Sequence, residues 1–104
     1  MDDTIEWTGK SGRAYKYWIY PIGASLKAQA GNYIFARETK PNTYAAVYIG
    51  QTENLSERFD SHHKKDCIKG QKATHIHAHL NATKQARLDE EADLIVKWQP
   101  FCNN

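Results

Sequence analysis

Three things that would fix the class of this chain at once are missing from it. Strong charge is the first: 14 Lys and Arg against 12 Asp and Glu leave a formal charge of +2. That balance excludes a polycation of the ribosomal type and leaves any nucleic-acid binding to a local patch. Cysteine is the second. Cys67 and Cys102 stand alone, without C-x-x-C spacing, and read as two reduced thiols in a cytoplasmic protein. The third is a long apolar run. No stretch approaches the roughly 20 residues of a membrane span. The start, MDDTIEWTGK, is acidic and has no apolar core, so no signal peptide is expected. Repeats and low-complexity segments are also absent. The one boundary candidate, Pro21–Gly31, is too short to separate domains.

What remains is the composition of a small globular protein. The 104 residues are 40% hydrophobic, 25% charged and 12% aromatic, which allows one domain. Ordering the backbone costs about 1–2 kcal/mol per residue, so a chain this short must bury most of its large apolar groups. The aromatic residues carry much of that area.

Taken in order, residues 5–20 read as a hairpin. Ile5 and Trp7 alternate with polar residues, Gly9–Gly12 supplies the turn, and Tyr15, Tyr17 and Ile19 alternate again before Pro21. PIGASLKAQAG reads as a short helix or a loop. Residues 32–37 and 44–49 read as two strands joined by a turn at TKPN, 39–42. A helix is expected from Thr52 or Asn54 to about Lys65. Asn54 and Glu57 have capping-box spacing, Leu55, Phe59 and His62 form its inward stripe, and Lys64 and Lys65 close its last turn. DCIKGQK reads as loop. THIHAHL, 74–80, alternates strictly, with Ile76, Ala78 and Leu80 toward a core and His75, His77 and His79 away from it. A last helix, capped by Asn81 or Thr83, runs to about Trp98 on a stripe of Ala86, Leu88, Ala92, Leu94 or Ile95, and Trp98.

Chemistry gathers on Ala45–His63. Tyr48 ends a strand, Gly50 turns the chain, and Arg58 and His62 follow four residues apart, which on a helix places them on one face. A phenol, a guanidinium and an imidazole from one strand–turn–helix unit suit phosphate chemistry. The His75, His77 and His79 row invites a zinc site, but side chains diverge along a strand and no further Cys or His completes a tetrahedral set. A polar row facing substrate or solvent is the expectation there. Lys64, Lys65, Lys69, Lys72, Lys84 and Arg87 form a basic set that could track a nucleic-acid backbone. Trp7, Tyr15, Tyr17 and Trp18 could stack on bases, though packing in the sheet is the commoner use of such residues.

Several of these pieces fall in a fixed register. Gly31-Asn32-Tyr33 opens one strand and Tyr48-Ile49-Gly50 ends the next. Asn54, Arg58 and His62 follow, then Glu91 with Leu94-Ile95 behind it, then Pro100 and Asn103. Over residues 31–103 this resembles the GIY-YIG nuclease family, in the form of the modules of excision-repair proteins and homing endonucleases. The sequence departs from that pattern in three places. Asn32 stands where the family has Ile or Val, the connection 34–47 is somewhat long, and Gln51 replaces the Lys of some members.

The resemblance implies an α/β domain over 1–104: a small antiparallel sheet flanked by helices, with residues 31–103 as its core and an N-terminal hairpin, 1–22, extending it. It implies a metal-dependent endonuclease that cleaves DNA in preference to RNA. Glu91 would hold one Mg²⁺ or Mn²⁺ ion, because a hard divalent cation takes carboxylate oxygen and stabilises charge developing at phosphorus. Arg58 would grip the scissile phosphate, which a guanidinium does bidentately. Tyr33 and Tyr48 would contact the attacking water or the phosphate. The general base is left open between a tyrosine and His62, whose ordinary pKa suits neutral pH. Gly50, Gln51, Asn54, Lys64, Lys65 and Asn103 would line the substrate, Asn103 as an orienting or structural group. A domain of this size has no separate sequence-reading unit, so a targeting partner or a homodimer is expected. The alternatives are a non-catalytic nucleic-acid-binding module on the same fold and an RNase.

Overall fold

A strand that comes late in the chain lies at the centre of the sheet. In the computed structural model, which describes residues 3–57 and 62–103, the strands are β1 (Thr4–Thr8), β2 (Ala14–Pro21), β3 (Gly31–Lys40), β4 (Thr43–Thr52) and β5 (His75–Leu80). They form one sheet in the order β1-β2-β5-β3-β4, and every pairing is antiparallel. The two hairpins do not touch as sheet neighbours; β5 joins them. Helix α1 (Lys65–Gly70) precedes β5, helix α2 (Lys84–Trp98) follows it, and a 3₁₀ turn, Phe101–Asn103, closes the described chain.

The sheet carries a core on each face, which is why Gly31–Ala36 of β3 is buried without alternation. On one face Tyr33, Phe35, Val47, Tyr48, Leu55, Ile76 and Ala78 pack with Ile68 of α1 and Cys102. On the other, Trp7, Tyr17, Ile34, Ala36 and Ile49 pack with Leu94 of α2. The β3–β4 hairpin turns at Pro41-Asn42, and Asn42 takes the left-handed conformation, φ 63°, that Asn tolerates. The register slips between Phe35 and Ala36. This bulge turns both Val47 and Tyr48 toward the α1 face.

Both hairpins and the α/β layering agree with the sequence reading, and 22–30 is loop. The helix expected from Asn54 to Lys65 is corrected. The Asn54 side chain accepts from the Ser56 N–H at 2.9 Å, as a cap would, but residues 55–57 are a turn and not a helix. Residues 62–64 are not helical, and Arg58 and Phe59 lie outside the described residues. Helix α1 begins at Lys65, where the expected helix ends, and occupies the stretch read as loop. Six residues are too few to hold a helix by propensity; buried Ile68 and a covalent bond from Cys67 hold this one.

That bond is a second correction. Cys67 and Cys102 form a disulfide across a sequence separation of 35, with their Cα atoms 5.8 Å apart. The reading of free thiols therefore fails, and with it the ground for a cytoplasmic location, since disulfides persist in oxidising compartments. Among the described residues no helix is long and apolar enough to cross a membrane.

The apolar stripe expected on α2 is the third correction. Ala86, Leu88, Ala92 and Trp98 are exposed, and the buried line is Arg87, Glu90 and Leu94. The sheet beneath offers polar partners, so this helix buries charged residues with their bonds made.

Candidate active site

Tyr33 and Tyr48 face the α1 side from neighbouring strands, their rings stacked with centroids 6.1 Å apart. Gly50 sits opposite Tyr33 in the β3–β4 register. A Cβ on Gly50 would lie 2.7 Å from the Tyr33 hydroxyl and 2.9 Å from the Tyr48 ring. The absence of a side chain there lets the two phenols close over the strand. Asn103 fixes Ile49, between Tyr48 and Gly50 in the strand: its Oδ1 accepts from the Ile49 N–H at 2.8 Å, and its Nδ2 donates to the Ile49 carbonyl at 2.9 Å.

His62 completes the cluster. Its ring lies 4.9 Å from that of Tyr48, and its Nε2 is 2.8 Å from the Tyr33 hydroxyl. The Lys64 N–H donates to Nδ1 at 3.0 Å, so the proton of the neutral imidazole sits on Nε2 and is donated to the Tyr33 oxygen. Burial, and then the stacked neighbour His63, lower the His62 pKa and keep the ring neutral near pH 7. Burial first, then Tyr48 and Glu91, push the Tyr33 pKa far up. Tyr48 is also raised, by burial and then by Glu91, while its neighbour Tyr33 pulls it back. His62 thus engages the Tyr33 hydroxyl, and the Tyr48 ring packs against both.

Glu91 reaches the same place from α2. Its carboxylate accepts from the Gln51 backbone N–H, and its charge opposes ionisation of both phenols. Half-burial raises its own pKa, more than the Gln51 bond lowers it. A half-buried carboxylate is a group that a hard divalent ion would take as one ligand, with water and substrate supplying the others. Among the described residues no three of His, Cys, Asp and Glu converge on a metal cage.

The other expected residues are placed as follows. The Gln51 Oε1 accepts from Arg87 Nε at 2.9 Å. Asn54 serves its own turn, Lys64 is half-buried beside His62, and Lys65 is exposed at the start of α1. Arg58 lies outside the described residues. Arg87, grouped above with cations that could track a backbone, is only 3% exposed and spends its guanidinium on Gln51 and the carbonyls of Asn81 and Ala82. Asn32 is buried and bonded: its Nδ2 donates to the Arg87 carbonyl and its Oδ1 accepts from Asn81.

The histidine row is corrected as well. It faces the α2 core, where each ring has its own setting. Trp7 Nε1 donates to His77 Nδ1 at 3.0 Å, and burial lowers the His77 pKa to about 4. Its Nε2 has no hydrogen-bond partner among the described residues, and its ring meets that of Tyr44 nearly at right angles, 4.7 Å between centroids. His79 Nε2 lies 2.7 Å from Glu90 Oε2, which also accepts from the Tyr17 hydroxyl. Sequence reasoning missed this buried Glu90–Tyr17–His79 set. The alternation that aligned the histidines also puts Tyr15 and Tyr17 on one face of β2, but nothing in it marks Glu90 as their partner rather than a solvated charge.

Comparison of the chain with protein-family models, with curated proteins and with solved structures gives no match.

Proposed function

We propose that this protein is a metal-dependent endonuclease of the GIY-YIG type that hydrolyses phosphodiester bonds, with DNA as its preferred substrate. The observation that carries this reading is the convergence of Tyr33, Tyr48, His62 and Glu91. Tyr33 and Tyr48 close over Gly50 from two strands, His62 of a loop bonds the Tyr33 hydroxyl, and the charge of Glu91, on a distant helix, acts on both phenols. A divalent ion held by Glu91 would supply positive charge at the scissile phosphate and favour the phenolate form of the adjacent tyrosine. Tyr48, packed beside the Tyr33–His62 pair, takes the proton of the attacking water. Tyr33 and neutral His62 orient it and hold its lone pair toward the open side of the cluster. Arg58, by the family resemblance, neutralises the phosphate.

The test is cleavage of supercoiled plasmid, single-stranded DNA and RNA with Mg²⁺ or Mn²⁺, comparing the parent with Tyr48→Phe, Arg58→Ala and Glu91→Gln. Cutting by the parent and loss of about 10²-fold or more in each variant is the expected result. The rate should rise with pH above neutrality, because the reactive form of Tyr48 is deprotonated. It should fall on the acid side as His62 gains a proton. Binding without cutting, at every metal and on every substrate, would replace the enzyme with a nucleic-acid-binding module.

A further inference from the structure

The face of the sheet that carries the phenols continues past them into a cavity of about 460 Å³. Lys16, Trp18 and Tyr20 of β2 form one wall, Leu26 and Lys27 of the following loop another, and Leu80 of β5 a third. Trp18 is 49% exposed and Leu80 46%, a large apolar surface for so small a chain to leave open. The cavity is joined to the candidate site by the sheet itself. Trp18 pairs with Ala78, Ala78 with Tyr33, and Tyr33 with Gly50. All four lie in one row across four strands, which sets Trp18 about 10 Å from Tyr33, two strand spacings away. Leu55 and Ala78 belong both to the cavity lining and to the core around Tyr33.

The charge of the cavity has one sign. Lys16 and Lys27 line it, the Lys16 ammonium sits 5.3 Å from the centre of the Trp18 ring, and among the described lining residues none is acidic. An exposed indole with one ammonium beside it and a second lysine lining the same cavity offers a stacking face and phosphate neutralisation together, the combination that holds unpaired nucleotides without regard to base.

We propose that this cavity is a stacking subsite for an unpaired nucleotide adjoining the cleaved phosphate. The base lies on Trp18, and its phosphate lies between Lys16 and Lys27. The inference rests on the nuclease reading of the phenol site, and it makes the substrate single-stranded or frayed where it meets β2. In a continuous duplex, a base cannot reach Trp18 without leaving its stack.

The experiment is fluorescence anisotropy of labelled oligonucleotides, performed on the Glu91→Gln protein to prevent cutting, with single-stranded DNA, single-stranded RNA and duplex DNA of one sequence. Trp18→Ala should weaken binding of single strands by about tenfold, Trp18→Phe should restore most of it, and duplex binding should not move. Which single strand binds more tightly distinguishes DNA from RNA. Lys16→Ala with Lys27→Ala should lower the slope of log K against log salt by about 1.4. Unchanged single-strand affinity in Trp18→Ala overturns the subsite and leaves the cavity to another occupant. An equal loss on duplex and single strand overturns it too. Cleavage by the parent that Trp18→Ala leaves untouched removes the subsite but not the nuclease. Single-strand binding that depends on Trp18, in a protein that never cuts, keeps the subsite and removes the nuclease.

Discussion

At the scale of single residues, the missing side chain of Gly50 is what lets the two phenols pack. Its place is taken by the Tyr33 hydroxyl and the Tyr48 ring, both within 3 Å of where a Cβ would stand. Gly50→Ala must therefore push the phenols apart. We expect a stability loss of about 1–3 kcal/mol, read by urea unfolding, and a larger loss of any activity that needs the His62, Tyr33 and Tyr48 cluster. An Ala variant with parental stability and rate would contradict that geometry. His77 sets a different constraint. Burial holds its pKa at about 4, below the ordinary value of 6.5, so the unfolded chain binds the proton that the folded one refuses. That raises stability with pH: the contribution is complete above about pH 6.5 and is lost as pH falls toward 4, a change of about 3 kcal/mol. His77→Gln, which keeps an acceptor for Trp7, should be less stable at neutral pH and should lose less on acidification. Parallel pH profiles for the two proteins would sink the assignment.

At the scale of elements, α2 is held to the sheet by charge and polarity as much as by apolar area. Glu90 is 4% exposed and serves Tyr17 and His79 at once, while Asp93, near the sheet's edge, takes bonds from Ser11 and Tyr15 of the first hairpin. Glu90→Ala leaves a buried phenol without its acceptor and opens a void, and should cost about 2–4 kcal/mol in equilibrium unfolding. Glu90→Gln, which restores one acceptor, should recover some of it. This is also where reading from sequence stops. Both hairpins were legible because strict alternation and Gly or Pro-Asn turns are local signals. Tyr33 and Tyr48 were legible with them. Helix α1 was not, because Ile68 and a distant cysteine hold it and its own residues do not favour it. The buried face of α2 was not, because Arg87 and Glu90 look like solvated charge until their partners on β2, β4 and β5 are known. The bulge that turns Tyr48 beside Val47 toward His62 leaves no mark in the sequence at all.

At the scale of the whole molecule, the disulfide ties the beginning of α1 to the end of the chain, so it braces the His62 loop and the Asn103 clamp on Ile49 together. Closing a loop with a sequence separation of 35 restricts the unfolded chain by about 3–4 kcal/mol. Reduction, or Cys67→Ala with Cys102→Ala, should lower the denaturation midpoint accordingly. An unchanged midpoint with and without reductant would show that the bridge adds no stability. The same bond turns residues 67–102 into a closed ring that holds all of β5 and α2, Glu91 among them. A protease that nicks the backbone once inside that ring frees no fragment. The cut chain keeps its two pieces joined and separates only when reductant is added.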